Sequence, residues 1–277
     1  MATGLLPVSL QGANVDSGFY AACAGLRAQS QALEVAGHNL ANLNTAGFRG
    51  QQTTFQSLIA VSGPTAPNGP NNGVNNVLSS VLNSATNNFG VLEGTHLDMT
   101  AGSLQPTGNP LDIGIEGSGF FAIRTARGIR YTRNGSFQVS SSGQLVTAAG
   151  DLVLGDPTLK DKDKGGISLP AGEVAIASDG TISVNGAVAG NLQLVEFPAG
   201  TKLTSEGGTL IAAPEGIAKP AQQSALRQGS LEASNVNSIT SVVTLIGVER
   251  QAEMLQRAMS LFDTEFNHIA ATDLAKV

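Results

Sequence analysis

The chain has 277 residues, of which 13% are charged and 4% aromatic, with 34 glycines and no tryptophan. Its 15 basic and 21 acidic side chains give a formal net charge of −6, so it lacks the positive field that would attract nucleic acid. The single cysteine, Cys23, excludes an intramolecular disulfide and a cysteine-based zinc site, and no apolar run is long enough to predict a transmembrane helix.

The first predicted element is a helix that follows an extension of residues 1–15. Asp16 and Ser17 are suited to capping its start. A large apolar residue recurs every seven positions with small residues between them, which favours close packing on another helix. The large residues are Phe19, Leu26, Leu33 and Leu40, and the small ones are Cys23, Ser30 and Gly37. We expect this helix to end between Asn42 and Gly47, where the residues favour a turn.

A connector follows the first helix. Residues 50–92 contain no charged side chain, and the second half of this stretch is mainly Gly, Pro, Asn, Ser and Thr. Such a composition buries too little apolar surface to offset the entropy lost on ordering. We therefore predict a connector at residues 49–93 that is partly flexible, in which residues 62–92 are either flexible or order on binding.

Beyond the connector the apolar pattern changes to short alternating runs, which predict an antiparallel β domain at residues 94–231. Dipeptides suited to tight hairpin turns separate the runs: Asn134-Gly135, Ser142-Gly143, Asp179-Gly180 and Asn185-Gly186. Asn134-Gly135-Ser136 also fits a glycosylation sequon, but Asn-Gly between two β runs favours a hairpin turn. We therefore predict no modification there.

The C-terminal part carries the strongest periodicity and predicts a helix from about Val236 to Leu274. A helix of this length measures roughly 55 to 60 Å. Apolar residues spaced alternately by three and four form what we call the C-terminal seam: Leu245, Val248, Ala252, Leu255, Met259, Phe262, Phe266 and Ile269. Ile239, Val243 and Ile246 widen the apolar surface beyond a two-helix contact, so we expect burial between subunits.

Together the patterns predict an α+β fold in which an antiparallel, all-β central domain is inserted between long N- and C-terminal α-helices. These helices are expected to pack as a coiled-coil-like axial core. We place the axial helical core at residues 16–48 and 232–277 and the outer β domain at 94–231. Such a protomer suits a subunit that stacks along an axis.

No pattern indicates catalysis, a cofactor or a metal. Gly117-Ser118-Gly119 continues into a strand instead of a phosphate-binding helix. Asp161 begins a stretch that resembles a calcium loop, but its twelfth position is Gly172 instead of Glu, which favours a solvated charged loop. The histidines His38, His96 and His268 lack ligand spacing. We expect no enzyme activity, no cofactor, no metal and no small-molecule substrate.

Three stretches resemble a known family, the rod and hook group of axial proteins of the bacterial flagellum. Residues 38–49, which read HNLANLNTAGFR, are similar to its N-terminal Asn-Leu-Ala-Asn, Thr, Gly-Phe signature. Residues 111–155 are similar to its β-domain motif, and residues 229–237 to the segment before its C-terminal helix. The short chain most resembles the proximal rod type.

The resemblance implies a structural subunit of the basal-body rod, without membrane insertion. Its implied partners are other copies of itself, other rod and hook proteins, and the flagellar type III export apparatus. Because no Lys or Arg precedes Arg27, we expect export to the periplasmic rod without a cleavable signal peptide.

In this family the terminal helices of many copies form a tubular inner core, which implies two sets of functional residues here. The implied assembly interface comprises Phe19, Leu26, Leu33, Leu40, Leu245, Val248, Leu255, Met259, Phe262, Phe266 and Ile269. The implied signature turn, which redirects the chain out of the first helix, comprises Asn39, Asn42, Asn44, Thr45, Gly47 and Phe48.

Two alternatives stay open at this point. One is the distal rod protein of the same family. The other, from a different class, is a secreted carbohydrate-binding or hydrolytic β domain on an oligomerising helical stalk. The second requires an exposed aromatic platform or a carboxylate pair, for which the candidates are Tyr20, Tyr131, Asp112 and Glu116.

Overall fold

A computed structural model describes residues 12–58, 89–155 and 165–274. A long helix at each end of this range and antiparallel sheets between them confirm the predicted α+β class. Helix α1 spans Gly12–Ala41 and helix α2 spans Ser238–Leu274. In the part of the chain that is described, neither helix has an apolar stretch of the length that a membrane crossing requires.

The helix ends follow local capping chemistry. Helix α1 begins at Gly12, ahead of the predicted cap at Asp16, and ends at Ala41, where the Asn42 side-chain amide donates to the His38 carbonyl at 2.9 Å. Helix α2 begins after Asn237, whose Oδ1 accepts the backbone N–H groups of Ile239 and Thr240 at 2.9 and 3.2 Å. Asn237 is therefore its N-cap.

Both ends of the predicted connector are strands. Strand β1 (Gln51–Leu58) pairs with strand β2 (Phe89–Leu97). Strand β2 includes residues 89–92 of the segment predicted to be flexible or to order on binding, and that prediction stays a prediction. Residues 59–88 lie outside the described residues, as do residues 1–11 of the predicted extension.

The remaining strands lie between residues 104 and 232, and every pairing among them is antiparallel. Their bounds are β3 (Leu104–Pro106), β4 (Ile113–Glu116), β5 (Phe120–Thr125), β6 (Gly128–Thr132), β7 (Phe137–Val139), β8 (Leu145–Thr147), β9 (Leu152–Val153), β10 (Val174–Ile176), β11 (Thr181–Val184), β12 (Ala187–Asn191), β13 (Leu194–Glu196), β14 (Thr204–Ser205), β15 (Ile211–Ala212), β16 (Lys219–Pro220), β17 (Ala225–Gln228) and β18 (Ser230–Glu232).

The largest sheet has the strand order β14-β15-β6-β5-β9-β8-β7, and β13 joins it by pairing with β5 and with β16. Smaller sheets are β10-β11-β12, β17-β4 and β18-β3. Side chains of these strands form a large apolar core, in which the rings of Phe121 and Phe137 meet edge to face at 5.0 Å, and a smaller cluster around Phe120.

Three of the four predicted turns are hairpin turns. Gly143, Gly180 and the pair Asn185-Gly186 have positive φ angles and link β7 to β8, β10 to β11 and β11 to β12. The prediction for Asn134-Gly135 is wrong, because β6 and β7 do not pair with each other. Gly135 is required for a different reason: an added Cβ would lie 1.8 Å from the Ile113 carbonyl oxygen.

The described chain divides into two compact units. One contains residues 12–37, 53–58, 89–95 and 242–274, and the other contains 38–52, 96–155 and 165–241. This division does not test the domain ranges predicted from the sequence, which stay predictions.

Candidate functional site

The C-terminal seam marks the half-buried face of α2. Leu245, Val248, Ala252, Leu255 and Met259 are all intermediate in exposure, whereas most residues between them are exposed. The side chains of Phe262, Phe266 and Ile269 lie outside the described part of the structure. The spacing of three and four therefore places the described seam residues on one side of the helix.

Within one subunit, helix α1 buries a face rich in alanine, and the predicted packing of its leucine face between subunits stays a prediction. Leu26, Leu33 and Leu40 are half-buried, but the most buried side chains are those of Ala22, Ala28, Ala32 and Ala36, each exposed by 5 to 7%. Ser30, predicted in the small-residue face, is exposed, and its hydroxyl donates to the Leu26 carbonyl at 3.0 Å. The Phe19 side chain is outside the described residues.

The two helices meet at Gly25. An added Cβ on Gly25 would lie 3.3 Å from a methyl group of Leu255, a member of the C-terminal seam. A glycine at this position lets a leucine of the facing helix approach the α1 backbone. Packing between α1 and α2 within one compact unit thus involves the predicted seam.

The side of α2 away from the seam carries exposed apolar residues that we call the outer strip. Ile239, Val242, Val243 and Ile246 fall at helical spacing, and the exposed fractions of Ile239 and Val243 are 74 and 64%. Val242 belongs to this strip although the sequence pattern did not single it out. Met254 and Leu261, further along the helix, are also exposed.

The signature turn links the end of α1 to β1. The Asn39 side chain donates to the carbonyl of Gln51 at 2.8 Å and accepts the N–H of Gln51 at 2.9 Å. The Thr45 hydroxyl donates to Asn42 Oδ1 at 3.1 Å, while Asn44 is exposed. These bonds fix the direction in which the chain leaves the helix.

Gly47 and Phe48 hold the turn against the rest of its compact unit. Gly47 has a φ of +67°, its N–H donates to the Glu232 carbonyl at 2.7 Å, and an added Cβ would lie 2.3 Å from the backbone of Arg133. Phe48 is buried with its ring edge-on to His38 at 5.4 Å. Only glycine satisfies both constraints at position 47.

Sequence reasoning missed a buried charge cluster beside the turn. Arg49 Nη2 donates to Glu232 Oε1 at 2.6 Å, and Arg133 Nη1 donates to Oε2 at 3.2 Å. The N–H of Gly102 completes the Oε1 contacts at 2.8 Å. Burial, opposed by Glu232 and reinforced by the charge of Arg49, lowers the pKa of Arg133 to about 10.

A signal for this cluster existed in the sequence. Arg49, Arg133 and Glu232 each fall in one of the three stretches that carry the family resemblance, but the pairs are separated by 99 and 183 residues. Asn235, next to the cluster in sequence, accepts the N–H of Gly50 at 2.7 Å and donates to the carbonyl of Asp98 at 2.9 Å. Segments from both ends of the chain therefore meet around the turn.

Among the groups that a carbohydrate site would need, the Tyr20 side chain lies outside the described residues and the other three lie in separate contacts. Asp112 is buried and accepts from Asn109 at 3.0 Å, Glu116 pairs with Arg227 at 3.2 Å, and the Tyr131 ring packs edge-on against Phe197. Burial raises the pKa of the Tyr131 hydroxyl. Within the described residues, no group of His, Cys, Asp and Glu side chains could hold a metal ion.

Comparisons with known proteins match the chain in three places. A family model described as flagella basal body rod protein matches residues 19–49, and one described as flagellar hook protein FlgE/F/G D1 domain matches residues 114–184. A third, flagellar basal body rod FlgEFG protein C-terminal, matches residues 227–264. The matched ranges contain the signature turn and most of the C-terminal seam.

Individual relatives extend over most of the chain. The flagellar basal-body rod protein FlgG of Buchnera aphidicola subsp. Acyrthosiphon pisum is 31% identical over 86% of this chain and 93% of its own. FlgF of Escherichia coli is 31% identical over 83 and 87%, respectively. FlgG of Bacillus subtilis is 30% identical over 83 and 89%.

Proposed function

The chain belongs to the family of flagellar basal-body rod proteins and is a structural subunit of that rod, and we propose that it polymerises through its terminal helices. Membership of this family implies assembly with other rod and hook proteins in the basal body. Relatives named FlgF and FlgG are consistent with the proximal rod type. The work of this subunit is mechanical, with no catalytic step.

The outer strip of α2 carries the proposal. The described seam residues from Leu245 to Met259 are half-buried, whereas Ile239 and Val243 are 74 and 64% exposed. Exposed apolar groups gain about 25 cal/mol per Å² when they leave water, and contiguous apolar surface marks interaction sites. A helix of a neighbouring subunit packed on the outer strip supplies that burial.

Assembly and folding are coupled in this proposal. The subunit passes through the type III apparatus unfolded, and its terminal helices gain their final packing at the growing end of the rod in the periplasm. When a segment orders on binding, part of the interaction free energy offsets the entropy lost on ordering. The net affinity of a subunit for the end of the rod is therefore lower than its contact area suggests. The net charge of −6 favours solubility of the free subunit.

A matched pair of substitutions tests the outer strip. Ile239→Asp and Val188→Asp place a carboxylate at two positions that are each 74% exposed, one on α2 and one on β12. We expect Ile239→Asp to abolish incorporation into purified basal bodies, because a desolvated carboxylate at an interface is costly. Val188→Asp should incorporate normally. Normal incorporation of Ile239→Asp, with an unchanged circular dichroism spectrum, contradicts the proposal.

A further inference from the structure

The buried cluster at the signature turn has one anion for two cations. Glu232 is 1% exposed and each of Arg49 and Arg133 is 3% exposed, so water does not screen their charges. Both carboxylate oxygens are used, since Oε1 accepts from Arg49 and Oε2 from Arg133. Removal of the carboxylate therefore leaves two guanidinium groups facing each other without an anion.

Several hydrogen-bond donors of the cluster also lack partners. Arg49 Nε and Nη1 and Arg133 Nε have no hydrogen-bond partner and no contact with solvent. An unpaired buried donor costs free energy, and a buried guanidinium retains its charge over the ordinary pH range. The Arg133 guanidinium has other contacts, because Nη2 donates to the Gly117 carbonyl at 2.6 Å and the group lies 4.9 Å from the Phe120 ring centroid. Glu232 is the ion-pair partner of Arg49, and Asp98 is a second anion, whose pKa the charge of Arg49 helps to lower.

Three distant parts of the chain contribute to the cluster. Arg49 follows the signature turn, Arg133 follows β6, and Glu232 ends β18, which is 183 residues beyond Arg49. Glu232 holds the turn twice, through its carboxylate on Arg49 and through its carbonyl, which accepts the N–H of Gly47 at 2.7 Å. The turn therefore contacts Arg133 and Glu232 at the same place.

We propose that Glu232 is a charge-dependent latch, which allows residues 47–50 to dock beside Arg133 only when residues 229–236 are in place. Before the C-terminal segment arrives, docking would bring Arg49 against Arg133 with no anion between them, which is unfavourable in a buried site. Once Glu232 is present, one carboxylate pairs with both. Segments near the two ends of the chain thus dock as one cooperative event within the subunit, whether or not the subunit polymerises.

Hydrogen exchange at the Gly47 N–H reads out the latch in the dilute, full-length chain. The acceptor of this N–H is the backbone carbonyl of residue 232, which a side-chain substitution leaves in place. We expect Glu232→Gln to speed exchange at Gly47 by at least about tenfold, which corresponds to a loss of about 1.4 kcal/mol in local opening free energy. The N–H of Leu154, bonded to the Ala122 carbonyl within the sheet, should keep its protection.

A second substitution separates charge from packing. Arg49→Met removes one cation and leaves Arg133 and Glu232 as a one-to-one pair, so alone it should change Gly47 exchange by less than about threefold. In the Glu232→Gln background the same substitution should restore part of the lost Gly47 protection, because the repulsion between two buried cations is removed while Arg133 still lacks an anion. A role of Glu232 in packing alone predicts further loss in the double variant, which would overturn the latch.

The chain offers a matched control at its surface. Glu206 pairs with Arg130 at 2.9 Å and with Arg127 at 3.3 Å, which is the same ratio of one anion to two cations in a more exposed setting. Glu206→Gln should change Gly47 exchange by less than about twofold. An effect equal to that of Glu232→Gln would mean that net charge of the chain, and not the buried cluster, governs the turn, which overturns the proposal.

The proposal can also be tested if Glu232→Gln prevents folding. If Glu232→Gln unfolds the whole chain, Arg49→Met must restore the β signal in circular dichroism for the latch to stand. A double variant that stays unfolded overturns it. Unchanged Gly47 exchange in a folded Glu232→Gln chain overturns it as well.

Discussion

Gly47 combines a left-handed backbone conformation with a close approach to another segment, and these two demands can be measured apart. Gly108 has a similar φ of +76°, compared with +67° at Gly47, but an added Cβ at Gly108 would meet no atom within 4 Å. At Gly47 the same atom would lie 2.3 Å from the Arg133 backbone. The pair therefore separates conformational strain from steric exclusion.

We expect Gly108→Ala to lower the free energy of unfolding by about 1 kcal/mol, the cost of placing alanine in the left-handed region. Gly47→Ala should lower it by about 2 kcal/mol more, because the Arg133 backbone must also move. Urea unfolding of the two full-length variants measures the difference. Equal losses of unfolding free energy in the two variants would show that the contact between Gly47 and the Arg133 backbone adds no steric cost.

Asp98 predicts a pH dependence near the turn. Burial raises its pKa, but hydrogen bonds from the Thr100 hydroxyl and N–H and from Gln52, together with the charge of Arg49, outweigh burial and hold the pKa below 3.8. A carboxyl with a lowered folded-state pKa stabilises the fold above its unfolded pKa, and this stabilisation disappears as the pH falls through the folded-state value.

Asp98→Asn should therefore be less stable than the wild type at pH 6, with a difference that shrinks as the pH falls below 3.8. Urea midpoints of both proteins at pH 6 and pH 3 test this expectation. A difference that is the same at both pH values would mean that the Asp98 charge does not contribute to the stability of the fold.

The packing of α1 against α2 depends on small residues at specific positions. An added Cβ at Gly25 would lie 3.3 Å from Leu255, whereas one at Gly37 would meet no atom within 4 Å. Both glycines lie inside α1, where alanine is favoured over glycine by up to about 1 kcal/mol. A comparison of the two alanine variants isolates the helix contact.

Gly37→Ala should raise the free energy of unfolding of the helices by up to about 1 kcal/mol. Gly25→Ala should raise it less, because the Leu255 methyl group must shift. In a Leu255→Ala background the two variants should become equal. Thermal melts followed by circular dichroism at a helical wavelength measure these changes. A persistent difference without Leu255 would show that the contact does not limit Gly25.

At the scale of the whole molecule, we expect residues 229–236 to determine whether the β region is stable as an isolated fragment. A fragment of residues 94–228 lacks β18 and Glu232, so β3 loses its partner strand and Arg133 stays buried without an anion. A fragment of residues 94–236 keeps the Arg133–Glu232 pair and omits Arg49. We expect the longer fragment to be folded and monomeric.

We expect the shorter fragment to be less stable by about 3 kcal/mol, the order of the loss when one partner of a buried ion pair is removed. Urea unfolding with size-exclusion light scattering compares the two fragments. Equal stability would show that β18 and Glu232 serve only the terminal segments. The full chain should gain helical signal as it self-associates, whereas the fragments should not.

The sequence by itself determined the features that depend on neighbouring residues. Spacings of three and four predicted α2 within two residues of its start at Ser238, and Ser142-Gly143, Asp179-Gly180 and Asn185-Gly186 predicted hairpin turns. These signals work because helix periodicity and turn conformation are set within a few residues along the chain. The α+β class and the family followed from their order.

Tertiary structure decided which of these local features meet. Asn134-Gly135 has the composition of a hairpin turn, yet Gly135 instead lies against the backbone of Ile113, where an added Cβ would not fit. The most buried residues of α1 include Ala32 and Ala36, whereas Ser30, predicted in the small-residue face, is exposed. The Arg49–Glu232–Arg133 cluster joins residues 99 and 183 positions apart, because packing of the strands and the turn, and not local sequence, determines which charges share a buried site.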